Sequence, residues 1–263
     1  MKVRERLLRI MRTFVPGAIS LTVFAVVWEI VATLIGNERV LPRFSQVMIS
    51  FYELKEYIPL DIIQSLIHFG MGISFAFLIA FPLGMLMGWF RGVFGFVDPI
   101  VEILRPIPPL AWIPLAIAWF HLTPIAASFI IFLGAFFPLL INTYMGFRET
   151  PKTLIEAAKV LGCDSDVRLM RYVALPHALP MIATGMRVGM GVGWMCVVAA
   201  EMFGVSTNGL GFRMFTKFFY NHQIDYVITY MILLGIISLV LDASFRYITG
   251  SLMKWRGGVV LEA

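Results

Sequence analysis

Long apolar runs alternate with short polar segments along most of the chain. Runs at 14–36, 62–90, 125–147, 181–203 and 226–249 are each long enough for a helix to cross a hydrocarbon core of about 30 Å, which takes roughly 20 residues. A further run at 107–120 is shorter and belongs to RPIPPLAWIPLAIAWF at 105–120. Its prolines at 106, 108, 109 and 114 cannot all lie in a regular helix. Two readings follow: a broken third span in which Pro108, Pro109 and Trp112 line a polar pathway, or a proline-rich leading turn packed against its neighbours. Between the runs lie an amphipathic stretch at 47–57, an interfacial segment at 91–105 and a turn-rich segment at 204–225.

One polar interruption is longer and more ordered in pattern than the rest. TPKTLIEAAKVLGCDSDVRLMRYVALPHALP at 150–180 reads as two short helices around a glycine turn. Thr150 offers an N-cap and Pro151 a first helical position, with Leu154, Ala157, Ala158 and Leu161 at helical spacing. Gly162 sits where a left-handed C-cap belongs. Asp164 offers a second N-cap for a helix from Ser165 to Leu175, which Pro176 ends, and Pro180 starts the next apolar run. A compact knob is expected there.

Composition changes the picture by fixing the solvent. The chain of 263 residues is 59% hydrophobic and 14% charged, against about a quarter charged in soluble domains, so it is read as an all-α polytopic membrane protein in one domain, 1–263. The 14–36 run exceeds a signal-peptide core of roughly 7 to 15 residues and is read as a retained span, with Glu29 its odd member. Gly84 and Gly88, and the stripe Gly185, Gly189 and Gly193, are spaced for close helix contact, while Pro82 provides for a kink. The charges are sided. With 1–12 inside, fifteen Lys and Arg fall on inner segments, among them Lys2, Arg4, Arg6, Arg9, Arg12, Lys254 and Arg256. Five fall outside: Arg39, Arg43, Lys55, Arg213 and Lys217. That bias puts both termini and the 150–180 knob in the cytoplasm. No basic groove with interleaved aromatics points to nucleic acid; the surface partner is membrane lipid.

Little in the sequence suggests chemistry. The histidines at 68, 121, 177 and 222 lie in different segments, so neither a metal site nor a cofactor is expected. Cys163 and Cys196 lie too far apart in depth to bridge. A phosphate loop and a nucleophile elbow are both missing from the sequence, and no catalytic residue is assigned. Three residues of the fifth span remain as pathway candidates. Arg187 either snorkels to the interface or meets an anion in the pathway. Trp194, with Met195 beside it, either packs or gates. Glu201 is either functional or braces the turn at 206–211 by accepting hydrogen bonds.

EAAKVLG at 156–162 followed by ALPHALP at 174–180 resembles the EAA loop of permease subunits of binding-protein-dependent ABC importers. The likeness covers nearly the whole chain. RPIPPLAWIPLAIAWF, FLGAFFPLLINTYMGF and VGWMCVVAAEMFGVSTNGLG are similar to the branch importing nitrate, bicarbonate, taurine and alkane sulfonates. In one respect the sequence departs: Leu175 and Pro176 come one residue later than the usual spacing, with Tyr172 or Val173 in the isoleucine place. The resemblance implies a six-span type I importer permease fold with cytoplasmic coupling helices. It also implies a second permease copy, expected to be identical, two ATP-binding subunits and an extracytoplasmic substrate-binding protein. Glu156, Ala157, Ala158, Gly162 and Pro176 would then form the handle that docks on the ATPase. The alternative is a secondary transporter or channel without an ATPase. It is disfavoured by that knob and by the lack of recognisable charged pairs within the spans.

Overall fold

The computed structural model describes residues 2–203 and 208–253, and among these there is no strand. The helices are α1 (Lys2–Ile35), α2 (Phe44–Glu53), α3 (Ile58–Trp89), α4 (Arg91–Leu104), α5 (Ile113–Phe120), α6 (Pro124–Arg148), α7 (Lys152–Val160), α8 (Asp166–Leu169), α9 (Leu175–Glu201), α10 (Leu210–Phe212) and α11 (Ile224–Leu252). By internal contacts the chain divides into two compact units: Met1–Pro59 with Met214–Leu233, and Leu60–Arg213 with Leu234–Ala263.

In the larger unit α6 is the central helix, with more than half of its most apolar stretch buried. Small residues let α3 and α9 come close to it. A side chain at Gly88 would stand 2.5 Å from the Phe147 Cβ, and one at Gly185 would stand 2.6 Å from the Asn142 Cβ and 3.1 Å from the Pro138 carbonyl. Bulk at either place would push the backbones apart, so the spacing predicted for both stripes is realised as contact. The core beneath them gathers Met87, Val101, Leu140, Phe147, Met170 and Ala178.

The segment at 91–105 is more regular than expected. It forms the whole of α4, whose Val93, Phe94, Val97 and Val101 pack on the core. Phe96, Ile100 and Ile103 are left exposed along another side. A sharp bend of 88° separates α4 from Pro109–Phe120, where a 3-10 turn (Pro109–Trp112) leads into α5. At eight residues α5 is only about 12 Å long. Among the described residues five helices are long and apolar enough to cross a membrane, and the count reaches six when the bent pair is taken as one span.

Pro176 and Pro180 behave differently from expectation, both lying within the helix that they were expected to end and to start. The chain does not break at Pro176; Asp166–Glu201 is one continuous 36-residue apolar helix. A π turn at Met170–Ala174 directly precedes Leu175. Such a turn holds one residue more than an α turn and widens the helix, giving the Pro176 ring room at the preceding carbonyls. It also takes up the one-residue delay of Leu175 and Pro176.

In the smaller unit, Glu29 is explained by local capping. Its carboxylate on α1 accepts from the Ser45 backbone N–H at 3.1 Å and the Ser45 hydroxyl at 2.9 Å, closing the start of α2. Ser50 of α2 donates to Asp225 at 3.0 Å, and the Tyr226 hydroxyl donates to Glu53 at 2.7 Å.

Candidate functional site

The 150–180 knob owes its form to its caps. Leu161 ends α7, Gly162 adopts φ +87°, and two hydrogen bonds turn back into the helix. The Gly162 N–H reaches the Lys159 carbonyl at 2.9 Å and the Cys163 N–H reaches the Ala158 carbonyl at 3.0 Å. This is a Schellman cap, and only a residue without Cβ adopts that φ without strain. Two capping assignments change. Thr150 does not open α7 but closes α6, its hydroxyl donating to the Phe147 carbonyl at 2.9 Å, and Pro151 is the N-cap. At α8 the cap is Ser165 rather than Asp164, its hydroxyl accepting from the Arg168 N–H at 3.2 Å.

Glu156, Ala157 and Pro176 are exposed, and Ala158 is half-buried. Among the described residues Glu156 makes no ion pair with Lys152 or Lys159, which leaves its carboxylate open. Val160 and Leu161 are almost fully exposed, at 88% and 87%, with Val167 and Tyr172 beyond them. These side chains form an exposed apolar collar on an otherwise polar knob.

The pathway candidates fall in separate places. Pro108 precedes the 3-10 turn, Pro109 opens it, and Trp112 ends it half-buried; the turn packs on α6 and α9. Trp194 is buried, donates its indole N–H to the Leu234 carbonyl at 3.0 Å and meets Phe69 edge-on at 5.2 Å. That is the packing reading. Met195, next in sequence, is 79% exposed.

Arg187 shares a cleft of about 220 Å³ with Trp194, Phe69 and Asp242. Its guanidinium holds Asp242 of α11 at two points, Nε to Oδ1 at 2.6 Å and Nη2 to Oδ2 at 3.2 Å. Arg246, one turn further along α11, also meets Asp242, Nε to Oδ2 at 3.2 Å.

Glu201 is fully buried at the far end of α9. One oxygen pairs with His68 Nδ1 at 2.8 Å; the other accepts from the Ser65 hydroxyl and the Gly211 N–H, each at 2.9 Å. Around it, Ser65 accepts from the Leu210 N–H at 2.8 Å, and Asp61 accepts from the Gly209 N–H at 3.0 Å and pairs with Arg213. Gly209 stands at φ +139° with the Glu201 carboxylate against it, so a Cβ there would lie 2.7 Å from Oε2. The bracing reading of Glu201 therefore holds for 208–211, while Ser206 lies outside the described residues.

The α9–α11 contact corrects the expectation that the spans lack charged pairs, since Arg187 pairs with Asp242, while α3 joins α9 through the hydrogen bond between His68 and Glu201. Sequence reading missed Asp61, Ser65 and His68 as a set. Their spacing of four and three residues, one polar stripe on an apolar helix, was a usable signal. Asp242 carried no comparable signal, since its partner lies 55 residues away.

Comparison with known proteins agrees with this architecture. Residues 80–254 match the family described as binding-protein-dependent transport system inner membrane component. A chain of Methanocaldococcus jannaschii described as an ABC transporter permease protein is 44% identical over 245 residues, covering 90% of this chain and 91% of that one. The nitrate import permease protein of Synechocystis is 32% identical over 243 residues, covering 88% and 86%, and the taurine transport system permease protein of Escherichia coli is 36% identical over 184 residues, covering 70% and 66%. Among solved structures, an inward-facing MetNI methionine ABC transporter aligns with a TM-score of 0.65 at 22% identity, over 76% of this chain and 98% of that chain. The likeness is one of fold.

Proposed function

Because the chain belongs to the family of binding-protein-dependent transport system inner membrane components, we propose that its 150–180 knob is the handle by which a separate ATPase drives solute through it. It is the multi-pass membrane subunit of an ATP-driven importer and works with ATP-binding and substrate-binding partners. In this reading the knob and both termini face the cytoplasm, where the excess of Lys and Arg lies. Two identical copies form the pathway, since one copy leaves the apolar flank of α11 open, and two ATPase copies serve them. The chain itself carries out no catalysis and needs no cofactor. Its cargo is a small oxyanion or sulfonate, the class named for its nitrate, taurine and bicarbonate relatives.

The observation that carries this is the knob's rigid, capped geometry with an uncovered collar at Val160 and Leu161. A surface that transmits force must keep its shape, and the Gly162 cap fixes the end of α7. Co-purification with the ATP-binding subunit tests the reading. Gly162→Pro, which forbids φ +87°, and Glu156→Lys, which reverses the open charge, are expected to abolish and to weaken association, with the permease still folded. Full association by both variants would contradict it.

A further inference from the structure

The Arg187–Asp242 pair is built unlike a structural salt bridge. Both side chains are part-exposed, at 51% and 33%, and a pair so open adds little to stability, yet charges placed within spans are costly to keep. Arg187 presents its fork to two oxygens on a single carbon. A guanidinium is pre-organised for that geometry, which a lysine does not match.

The surroundings carry one charge too many. Asp242 is shared by Arg187 and Arg246, and a second groove of about 330 Å³ runs beside the first, lined by both arginines with Thr184 and Thr249. Among the described residues no other lining residue of either space is charged. The two arginines and one carboxylate leave a net single positive charge facing open volume.

We infer that Asp242 is a resident stand-in for the transported anion: in the empty permease it fills the Arg187 fork, and an incoming anion with two oxygens on one centre replaces it while Arg246 retains the released carboxylate. The inference rests on the proposed import of small oxyanions and names the residues that select them. Cations meet a net positive site. Chloride, with one contact point, competes poorly with a carboxylate that makes two.

The complete importer, with its ATP-binding subunits and binding protein, is reconstituted in vesicles and offered isotopically labelled nitrate, bicarbonate and taurine. Arg187→Lys, which keeps the charge and loses the fork, is expected to cut uptake about 10- to 100-fold, the size expected for one charged hydrogen bond, while the complex still assembles. The exchange variant, Arg187→Asp with Asp242→Arg, restores an ion pair and is expected to assemble but not to recover uptake. Uptake recovered by the exchange variant, or kept within about threefold of wild type by Arg187→Lys, overturns the assignment; tenfold is the lower end expected of one charged hydrogen bond. Wild-type complex that hydrolyses ATP but imports none of the three anions overturns the anion reading and the assignment together. Wild-type import with an indifferent Arg187→Lys overturns the assignment alone.

Discussion

Of the larger unit's carboxylates that hold arginine or histidine partners, Glu201 and Asp242 are opposites in every other respect. Glu201 is fully buried, with three donors from two parts of the chain: Ser65 and His68 of α3, and the backbone of Gly211. Asp242 is a third exposed, holds two arginines and lines an open cleft. In the first case both oxygens are held by fixed donors away from solvent, so the group braces. In the second, bonds are shared and solvent or solute can reach them. Burial, not the kind of residue, separates a clasp from a contact that exchanges.

The comparison breaks most visibly at Glu201. Glu201→Leu leaves Ser65, His68 and the Gly211 N–H without an acceptor inside the protein, and a loss of about 3–5 kcal/mol is expected, seen as collapse of folded yield or of the thermal midpoint in detergent. Glu201→Gln keeps an acceptor oxygen and is expected to lose less. Next comes Gly209→Ala, which combines a left-handed backbone with a Cβ pressed on the Glu201 carboxylate; about 1–3 kcal/mol is expected by the same measurement. The smallest effect on folding belongs to Arg187→Gln, whose midpoint is expected within the scatter of wild type. A large drop there would make the Asp242 cluster a clasp as well, and the contrast would vanish.

Much of the architecture is readable from hydropathy, because each long span satisfies its own backbone and announces itself locally. The Gly162 cap was readable for the same reason: a helix end is decided within five residues. What escaped was non-local. The α4 helix looked like an interfacial link because its polar residues, Asp98 and Glu102, mask a core face at Val97 and Val101. The run through Pro176 looked broken because a single proline rule was applied without the wide turn before it. Of the pathway candidates, Trp194 and Glu201 were marked by residue type, yet their partners, Leu234, Ser65 and His68, come from helices that sequence distance does not connect.

The wide turn at Met170–Ala174 sets the winding phase of everything after it. Each residue of a helix advances the spiral by about 100°, so the extra residue decides which compass bearing Gly185, Arg187 and Glu201 take relative to α8. Excising one residue there would leave the spans intact and yet swing the glycine stripe off α6 by more than a quarter revolution. The knob and the transmembrane rod are thus keyed to each other like two gears on one shaft, with the tooth count written at 170–174.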